Sequence, residues 1–258
     1  MDMVKQKYEP PSHVPIIFIH AFPLDSTMCT PLADNLRASG YTVLMPDLPG
    51  FGQRAAWPME KYAMAMLAED IHALIRKEAG GRAIVGGCSV GGYILLSLLR
   101  HSPEAVATAI FVDTHPAADA PQTVANRMKT IADVRSDGLS SLIDTMPQRL
   151  LSPQAPPELQ ATVKAMIARQ STEGIIGLQY AMAKRSDQSN LLPKLKIPTL
   201  LIVGAEDHIT PPAVMQAMAE KFTLRPPPQL VVIPAAGHLA MLEQPLAVSQ
   251  AIRGFVQP

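Results

Sequence analysis

Ser89 stands in the middle of a short glycine-rich segment, residues 87–91, with the sequence GCSVG. An apolar run at 83–85 precedes this segment, and a helix-like apolar run at 94–99 follows it. A strand, a sharp turn and a helix in this order expose a serine at a sheet edge, because the flanking glycines leave room for the turn. A serine hydroxyl becomes nucleophilic when a neighbouring base takes its proton. The pattern therefore predicts that Ser89 is a nucleophile.

A base and an orienting acid follow later in the chain, each after a predicted strand. Residues 200–203 (LLIV) predict one strand, and Asp207 follows it. Residues 230–233 (LVVI) predict the next strand, and His238 follows that one. The carboxyl ends of parallel strands meet at one edge of a sheet, so both side chains are expected near Ser89. His238 would then take the Ser89 proton and return it to the leaving group, while Asp207 fixes the imidazole tautomer.

Two backbone N–H groups are predicted to stabilise a negative charge beside this serine. A hydrophobic strand ends at His20, and the turn after it can direct the amide of Phe22 toward the site. The second amide belongs to Val90, the first residue of the following helix, whose dipole also favours negative charge. His20 itself is interpreted as a turn residue whose ring bridges loops.

These segments together resemble the α/β-hydrolase family. The resemblance rests on HAFP at 20–23, PDLPGFG at 46–52, the serine segment, GAED at 204–207, GH at 237–238 and EQP at 243–245. It runs from about residue 14 to the end, and within the family the chain is similar to 3-oxoadipate enol-lactonases, arylesterases and cofactor-free haloperoxidases. The resemblance implies a Ser-His-Asp triad of Ser89, His238 and Asp207 that works through an acyl-enzyme.

The sequence departs from the family pattern near its beginning. Ala21 stands where a glycine usually follows the histidine, so a Cβ must fit at the oxyanion turn. Only about a dozen residues precede the first predicted strand, so the hairpin that usually opens the sheet is expected to be truncated or absent.

Two other carboxylates compete for the role of orienting acid. Some relatives place this acid where Asp113 stands, directly after the predicted strand that ends at 112. Glu206 also competes, but the Gly-x-x-Asp spacing from Gly204 favours Asp207.

The chain alternates strand-like and helical patterns, as a mostly parallel sheet flanked by helices requires. The predicted class is α/β, an α/β-hydrolase fold with a helical cap. Strands are predicted near residues 15–20, 41–45, 82–87, 107–112, 199–203 and 229–233, and the clearest helix near 59–79.

The alternation stops between Thr114 and Leu192, where only helices are predicted, at 118–134, 139–146, 157–171 and 172–183. Residues 115–192 are therefore expected to form a cap, inserted in a core domain of residues 1–114 and 193–258. The cap methionines suit an adaptable apolar pocket. Cap charges are nearly balanced, so an acidic lactone is not favoured over a neutral ester. The predicted pocket residues are Met128, Met146, Met182, Phe51 and His20.

Composition argues against several other classes of function. The 22 basic residues equal the 22 acidic residues, so no basic face for nucleic acid or anionic lipid is expected. No apolar run approaches the roughly 20 residues that span a bilayer, and the start lacks the apolar core of a signal peptide, so a cytoplasmic location is expected. Two cysteines and no ligand motif predict no disulfide, metal or cofactor. The sequence gives no indication of oligomeric state.

Three functions fit these residues. The first is a serine hydrolase that cleaves a small carboxylic ester or lactone, with water as the final acyl acceptor. The second is a cofactor-free perhydrolase of the haloperoxidase type or a C–C bond hydrolase. The third is a ligand receptor or regulator that keeps the triad but turns over slowly.

Overall fold

One parallel sheet organises the protein. The computed structural model describes residues 14–223 and 226–256 of the 258-residue chain. Within these residues the sheet has six strands in the order β2-β1-β3-β4-β5-β6, and every neighbouring pair is parallel. The α/β fold with a mostly parallel sheet is confirmed. The strands are β1 (Ile16–Ile19), β2 (Val43–Leu44), β3 (Ala83–Cys88), β4 (Val106–Val112), β5 (Thr199–Gly204) and β6 (Gln229–Ile233).

Helices cover the sheet, which explains why every residue of β3, β4 and β5 is buried. The α-helices within the described residues are α1 (Thr30–Arg37), α2 (Met64–Glu78), α3 (Val90–His101), α4 (Pro121–Asp137), α5 (Ser140–Leu150), α6 (Pro157–Ala168), α7 (Thr172–Ala183), α8 (Pro212–Ala219), α9 (Ala240–Glu243) and α10 (Pro245–Val256). Short 3-10 helices cover Ser26–Cys29, Met59–Lys61, Pro103–Ala105 and Ser189–Lys194. No helix in the described ranges is long and apolar enough to cross a membrane.

The helix predicted near 59–79 is divided in the structure. A 3-10 turn covers Met59–Lys61, and α2 begins at Met64. Leu67, Ile71 and Ile75 are buried on one face of α2, as their spacing requires. Gly80 takes a positive φ of 62° just after the helix, a conformation that glycine adopts without strain.

Four helices, α4 to α7, lie between β4 and β5, and the described residues of this stretch contain no strand. Helix α4 begins at Pro121 rather than near 118, because the fixed φ of proline suits the first turn of a helix. It ends at Asp137, and Gly138 follows with a φ of 67°. The hairpin predicted to be truncated or absent concerns residues 1–13, which lie outside the described residues.

The strand register brings the sites after β3, β5 and β6 to the same edge of the sheet. Cys88 at the end of β3 pairs with Val112 at the end of β4. Val112 in turn pairs with Ile202 of β5, and Gly204 pairs with Ile233 of β6. The residues that follow these strands therefore collect above the carboxyl ends of the sheet, where open α/β sheets bind their ligands.

Candidate active site

Ser89 occupies the sharp turn between β3 and α3. Its backbone has φ 54° and ψ −112°, a region that residues with a side chain rarely adopt. A Cβ added at Gly87 would strike the backbone of Gly91, and one added at Gly91 would strike the carbonyl of Ile19. The two glycines therefore let the turn close against β1 and hold the strained serine.

His238 connects Ser89 to Asp207 through both ring nitrogens. Nε2 of His238 lies 2.8 Å from the hydroxyl oxygen of Ser89. Nδ1 lies 2.8 Å from Oδ2 of Asp207. The side chains of His238 and Asp207 are 2% and 0% exposed. A carboxylate only accepts hydrogen bonds, so Nδ1 must carry the proton of the neutral ring, and Nε2 is left to accept the serine proton.

Asp207 is held by the turn that follows it. Its Oδ1 accepts hydrogen bonds from the amides of Ile209 and Thr210, at 2.7 and 2.9 Å. Its Oδ2 accepts the Thr210 hydroxyl at 2.5 Å. Burial acts to raise the pKa of Asp207, but the hydrogen bonds from His238 and Thr210 outweigh it and hold the pKa below its usual range. Asp207 is therefore a carboxylate at neutral pH. Thr210 was not predicted from the sequence, although a threonine three residues after an aspartate is a common partner for its side chain.

Asp113 lies near the same histidine but has different partners. Its Oδ1 accepts the amide of Gly204 at 2.8 Å, and its Oδ2 accepts the amide of Ala240 at 3.2 Å. Burial raises the pKa of Asp113 to about 7, and the charge of Asp207 adds to this effect. Asp113, directly after β4, therefore connects the end of β5 to the start of α9 and makes no hydrogen bond to His238.

The loop that carries His238 is fixed by contacts with the helical stretch. The amide of His238 donates to the carbonyl of Leu150 at 2.8 Å. Glu243 accepts the amide of Gly237 with one oxygen and the amide of Ser152 with the other, both at 2.8 Å. The end of α5 thus helps to place the imidazole.

Both predicted oxyanion donors have free N–H groups. Within the described residues, neither the Phe22 amide nor the Val90 amide donates a hydrogen bond to the protein. Ala21 does not take a positive φ, so its Cβ fits the turn without the backbone conformation that favours glycine. The amide of Ala21 is turned to Met28, whose sulfur accepts it at 3.2 Å.

A cavity of about 920 Å³ opens beside Ser89 and His238. Phe22 and two of the predicted methionines, Met146 and Met182, line it. Helices α4, α5 and α7 supply most of its wall.

The structure does not bring the other three predicted pocket residues into this cavity. His20 is buried, with Nδ1 3.0 Å from the Ala21 carbonyl and Nε2 accepting the Leu48 amide at 2.9 Å. Burial lowers the pKa of His20, so the ring is neutral and bridges two loops. Phe51 packs on this ring at 5.4 Å between centroids, and Met128 packs against the hydrophobic core. Each is used for packing because its loop or helix face turns inward.

The sequence analysis also missed a set of polar residues on the cavity wall. Tyr93, His115, Asp119 and Arg127 all line the cavity. Tyr93 lies on α3, four residues after Ser89, which immediately precedes this helix. This spacing of about one helical turn could have indicated that Tyr93 lies beside the serine. His115 and Asp119 lie between β4 and α4, and Arg127 lies on α4. No local sequence pattern reveals how this part of the chain packs.

Residues 14–245 match the family described as alpha/beta hydrolase fold. The match covers most of the chain and agrees with the sheet order and the serine turn. The chain belongs to the α/β-hydrolase fold family, and it is an enzyme of that superfamily.

The chain is similar to several known enzymes. A thermophilic esterase from Thermogutta terrifontis, solved with malate bound, has a TM-score of 0.88 and 36% identity, covering 94% of this chain and 89% of that one. The 3-oxoadipate enol-lactonase 2 of Acinetobacter baylyi is 27% identical over 220 residues, which are 84% of this chain and 79% of that protein. A bromoperoxidase from Bacillus anthracis has a TM-score of 0.80 and 19% identity, covering 94% of this chain and 91% of that one. At this low identity the likeness shows the fold alone.

Proposed function

We propose that this protein is a serine hydrolase that cleaves a small carboxylic ester or lactone. The observation that carries the proposal is the continuous hydrogen-bond path from Ser89 through His238 to Asp207, with 2.8 Å at each step. A hydroxyl paired with a neutral imidazole, itself paired with a buried carboxylate, has the geometry that nucleophilic acyl transfer needs. The similarity to proteins named esterase and enol-lactonase supports the same class of reaction.

The reaction would proceed in two halves. Ser89 Oγ attacks the carbonyl carbon while His238 Nε2 takes its proton, and the resulting oxyanion accepts hydrogen bonds from the amides of Phe22 and Val90. The intermediate then expels the alcohol, which receives the proton from His238, and leaves an acyl group on Ser89. Water attacks this acyl-enzyme with His238 again as the base, and the acid product departs. Asp207 stabilises the imidazolium in both halves.

We also propose that residues 115–192 act as a cap on a core of residues 1–114 and 193–258. The cap helices α4, α5 and α7 contribute Arg127, Met146 and Met182 to the cavity that holds Ser89. A cavity of about 920 Å³ suits a small molecule. The cap would therefore determine substrate specificity, while the core would supply the catalytic residues.

The test is the turnover of short-chain p-nitrophenyl esters by the wild-type protein and by Ser89→Ala. We expect the substitution to lower kcat/KM by about 10⁴-fold or more, because a triad without its nucleophile loses nearly all of its rate. Ser97→Ala, a buried serine further along α3, is the matched control and should keep full activity and the same unfolding midpoint. Retained turnover in Ser89→Ala would contradict the proposal. A wild-type protein that binds esters without cleaving them would favour the receptor function instead.

A further inference from the structure

One carboxylate and two guanidinium groups meet at the wall of the cavity. Asp119 accepts Nε of Arg127 at 2.5 Å and Nη1 of Arg185 at 2.6 Å. The side chains of Asp119 and Arg185 are 3% and 4% exposed, and that of Arg127 is 16% exposed. We call these three residues the Asp119 cluster. One negative charge between two positive charges leaves a surplus positive charge where water screens it poorly.

Arg127 is the positively charged member of the cluster that lines the cavity, beside Asp119. It donates two hydrogen bonds to Asp119, one to Gln179 at 2.9 Å and one to the sulfur of Met182 at 3.3 Å. A guanidinium has five N–H groups, so one N–H on Nη2 has no acceptor within the described residues. The guanidinium is thus held in a fixed orientation with one donor to spare.

A second arginine adds to the positive charge of this wall. Arg149 on α5 lines the same cavity and makes no ion pair with any described residue. The other carboxylate of the wall, Asp133, is paired with Lys129 at 2.7 Å. Both acidic groups of the wall are therefore neutralised, and the positive charge of Arg149 is not. The cap is nearly neutral in composition, but its folding directs the surplus positive charge toward the cavity.

Tyr93 contacts the Asp119 cluster and lies on the helix that follows Ser89. It stands one helical turn after Ser89, and the guanidinium of Arg185 lies 4.0 Å from the centroid of its ring. The Tyr93 hydroxyl lies 3.1 Å from Nε2 of His115. Burial lowers the pKa of His115 to about 4, and Arg185 adds to this effect, so His115 is neutral at physiological pH. The Asp119 cluster therefore stacks directly on a residue of the nucleophile helix.

We propose that the substrate carries a carboxylate, and that Arg127 and Arg149 bind this group while Ser89 attacks the ester or lactone carbonyl. The inference rests on the proposed function and narrows its substrate class. It differs from the expectation from composition that an acidic lactone is not favoured over a neutral ester. Arginine suits this task because its planar donors match a carboxylate and its charge does not depend on pH.

The test compares pairs of esters with the same carbon skeleton, in which a terminal methyl group of the neutral ester replaces the carboxylate of the anionic one. Monomethyl glutarate is paired with methyl pentanoate, which places the carboxylate on the acyl side. The anion of 4-acetoxybutanoate is paired with butyl acetate, which places it on the alcohol side. We expect kcat/KM for at least one anionic ester to exceed that of its neutral partner by about 10-fold or more, the typical effect of a hydrogen bond to a charged group. No preference in either pair would overturn the proposal.

Variants assign the preference to the two arginines. Arg127→Gln and Arg149→Gln should each raise KM for the preferred anionic ester about 10-fold and leave the neutral ester nearly unchanged. Arg135→Gln is the matched control, since Arg135 also lies on α4 but stacks over Tyr180 and does not line the cavity. Equal loss for neutral and anionic esters would point to a structural role and contradict the assignment.

Binding separates a failure of this inference from a failure of the proposed function. Glutarate should bind the Ser89→Ala protein in calorimetry, with an affinity that falls about 10-fold when Arg127→Gln is added. Glutarate binding without any ester turnover would sustain the anion site and reject the hydrolase. Ester turnover without glutarate binding would sustain the hydrolase and reject the anion site.

Discussion

Asp207 and Asp113 are two buried carboxyl groups close to His238. They have different hydrogen-bond partners and therefore different roles. Asp207 bonds the imidazole, and the Thr210 hydroxyl and amide hold it in place. Asp113 takes a positive φ of 48° and accepts two backbone amides, one from the end of β5 and one from the start of α9. The first arrangement orients a ring, whereas the second joins loops.

This difference leads to a ranking of two substitutions. Asp207→Asn should lower kcat for ester hydrolysis by about 10⁴-fold, because an amide at this position disrupts the histidine tautomer that the mechanism needs. Asp113→Asn should cost much less activity, and its main effect should be a lower unfolding midpoint, since an amide can accept only one of the two buried N–H groups and the other hydrogen bond is lost. Steady-state kinetics and thermal unfolding of both variants measure this. A larger loss of activity in Asp113→Asn would assign the orienting role to that residue instead.

The three predicted residues that the structure brings together share one property: each follows a strand. Ser89, Asp207 and His238 could be brought together because parallel strands end at one edge, whatever their separation in the chain. Arg127 and Arg149 could not, because their positions depend on how the cap helices pack. His20 and Phe51 were assigned to the pocket from their loops alone, and the structure packs them against each other.

At the scale of elements, the turn after β1 is tied to the end of α6. Asp25 accepts Nε and Nη2 of Arg169 at 2.6 and 2.8 Å, and Gln170 at 2.8 Å. Burial acts to raise the pKa of Asp25, but the hydrogen bonds from Arg169, Thr27 and Gln170 outweigh it and hold the pKa well below its ordinary value. This carboxylate therefore links the loop that carries Phe22 to the helical stretch.

Asp25→Asn should lower the free energy of unfolding at pH 7 by about 1 to 2 kcal/mol, less than for a fully buried pair because Arg169 is half exposed. A pKa that is lower in the folded state stabilises the protein above the unfolded pKa of about 3.9, and this stabilisation is lost as the pH falls through the folded pKa. The difference between wild type and variant should therefore shrink in acid.

Urea unfolding at pH 7 and at pH 3 measures this difference. Asp34→Asn is the control, since Asp34 forms only an exposed pair with Arg37 and should change little at either pH. A difference between wild type and Asp25→Asn that stays constant with pH would show that the Asp25 charge does not stabilise the fold.

At the scale of the whole molecule, the sheet was predictable, and helices α4 to α7, the proposed cap, were predictable only in part. The strands of the core are short apolar runs bounded by turns, and they recur at the spacing of β-α-β units, so their number and direction follow from the pattern. The cap helices show the same local signals, and α4 to α7 fall near their predicted positions. Their arrangement over Ser89 depends on contacts between distant segments, such as Glu243 with Ser152, which no local pattern encodes.

The central claim is that the Ser89 hydroxyl is activated by His238 under this cap. The most direct measurement is the reaction of the intact protein with a fluorophosphonate, followed by mass spectrometry of the whole chain and of its peptides. We expect one adduct per chain, located on Ser89, absent in Ser89→Ala and formed about 10³-fold more slowly in His238→Ala. An adduct on another residue, or labelling of Ser89 at an unchanged rate in His238→Ala, would contradict it.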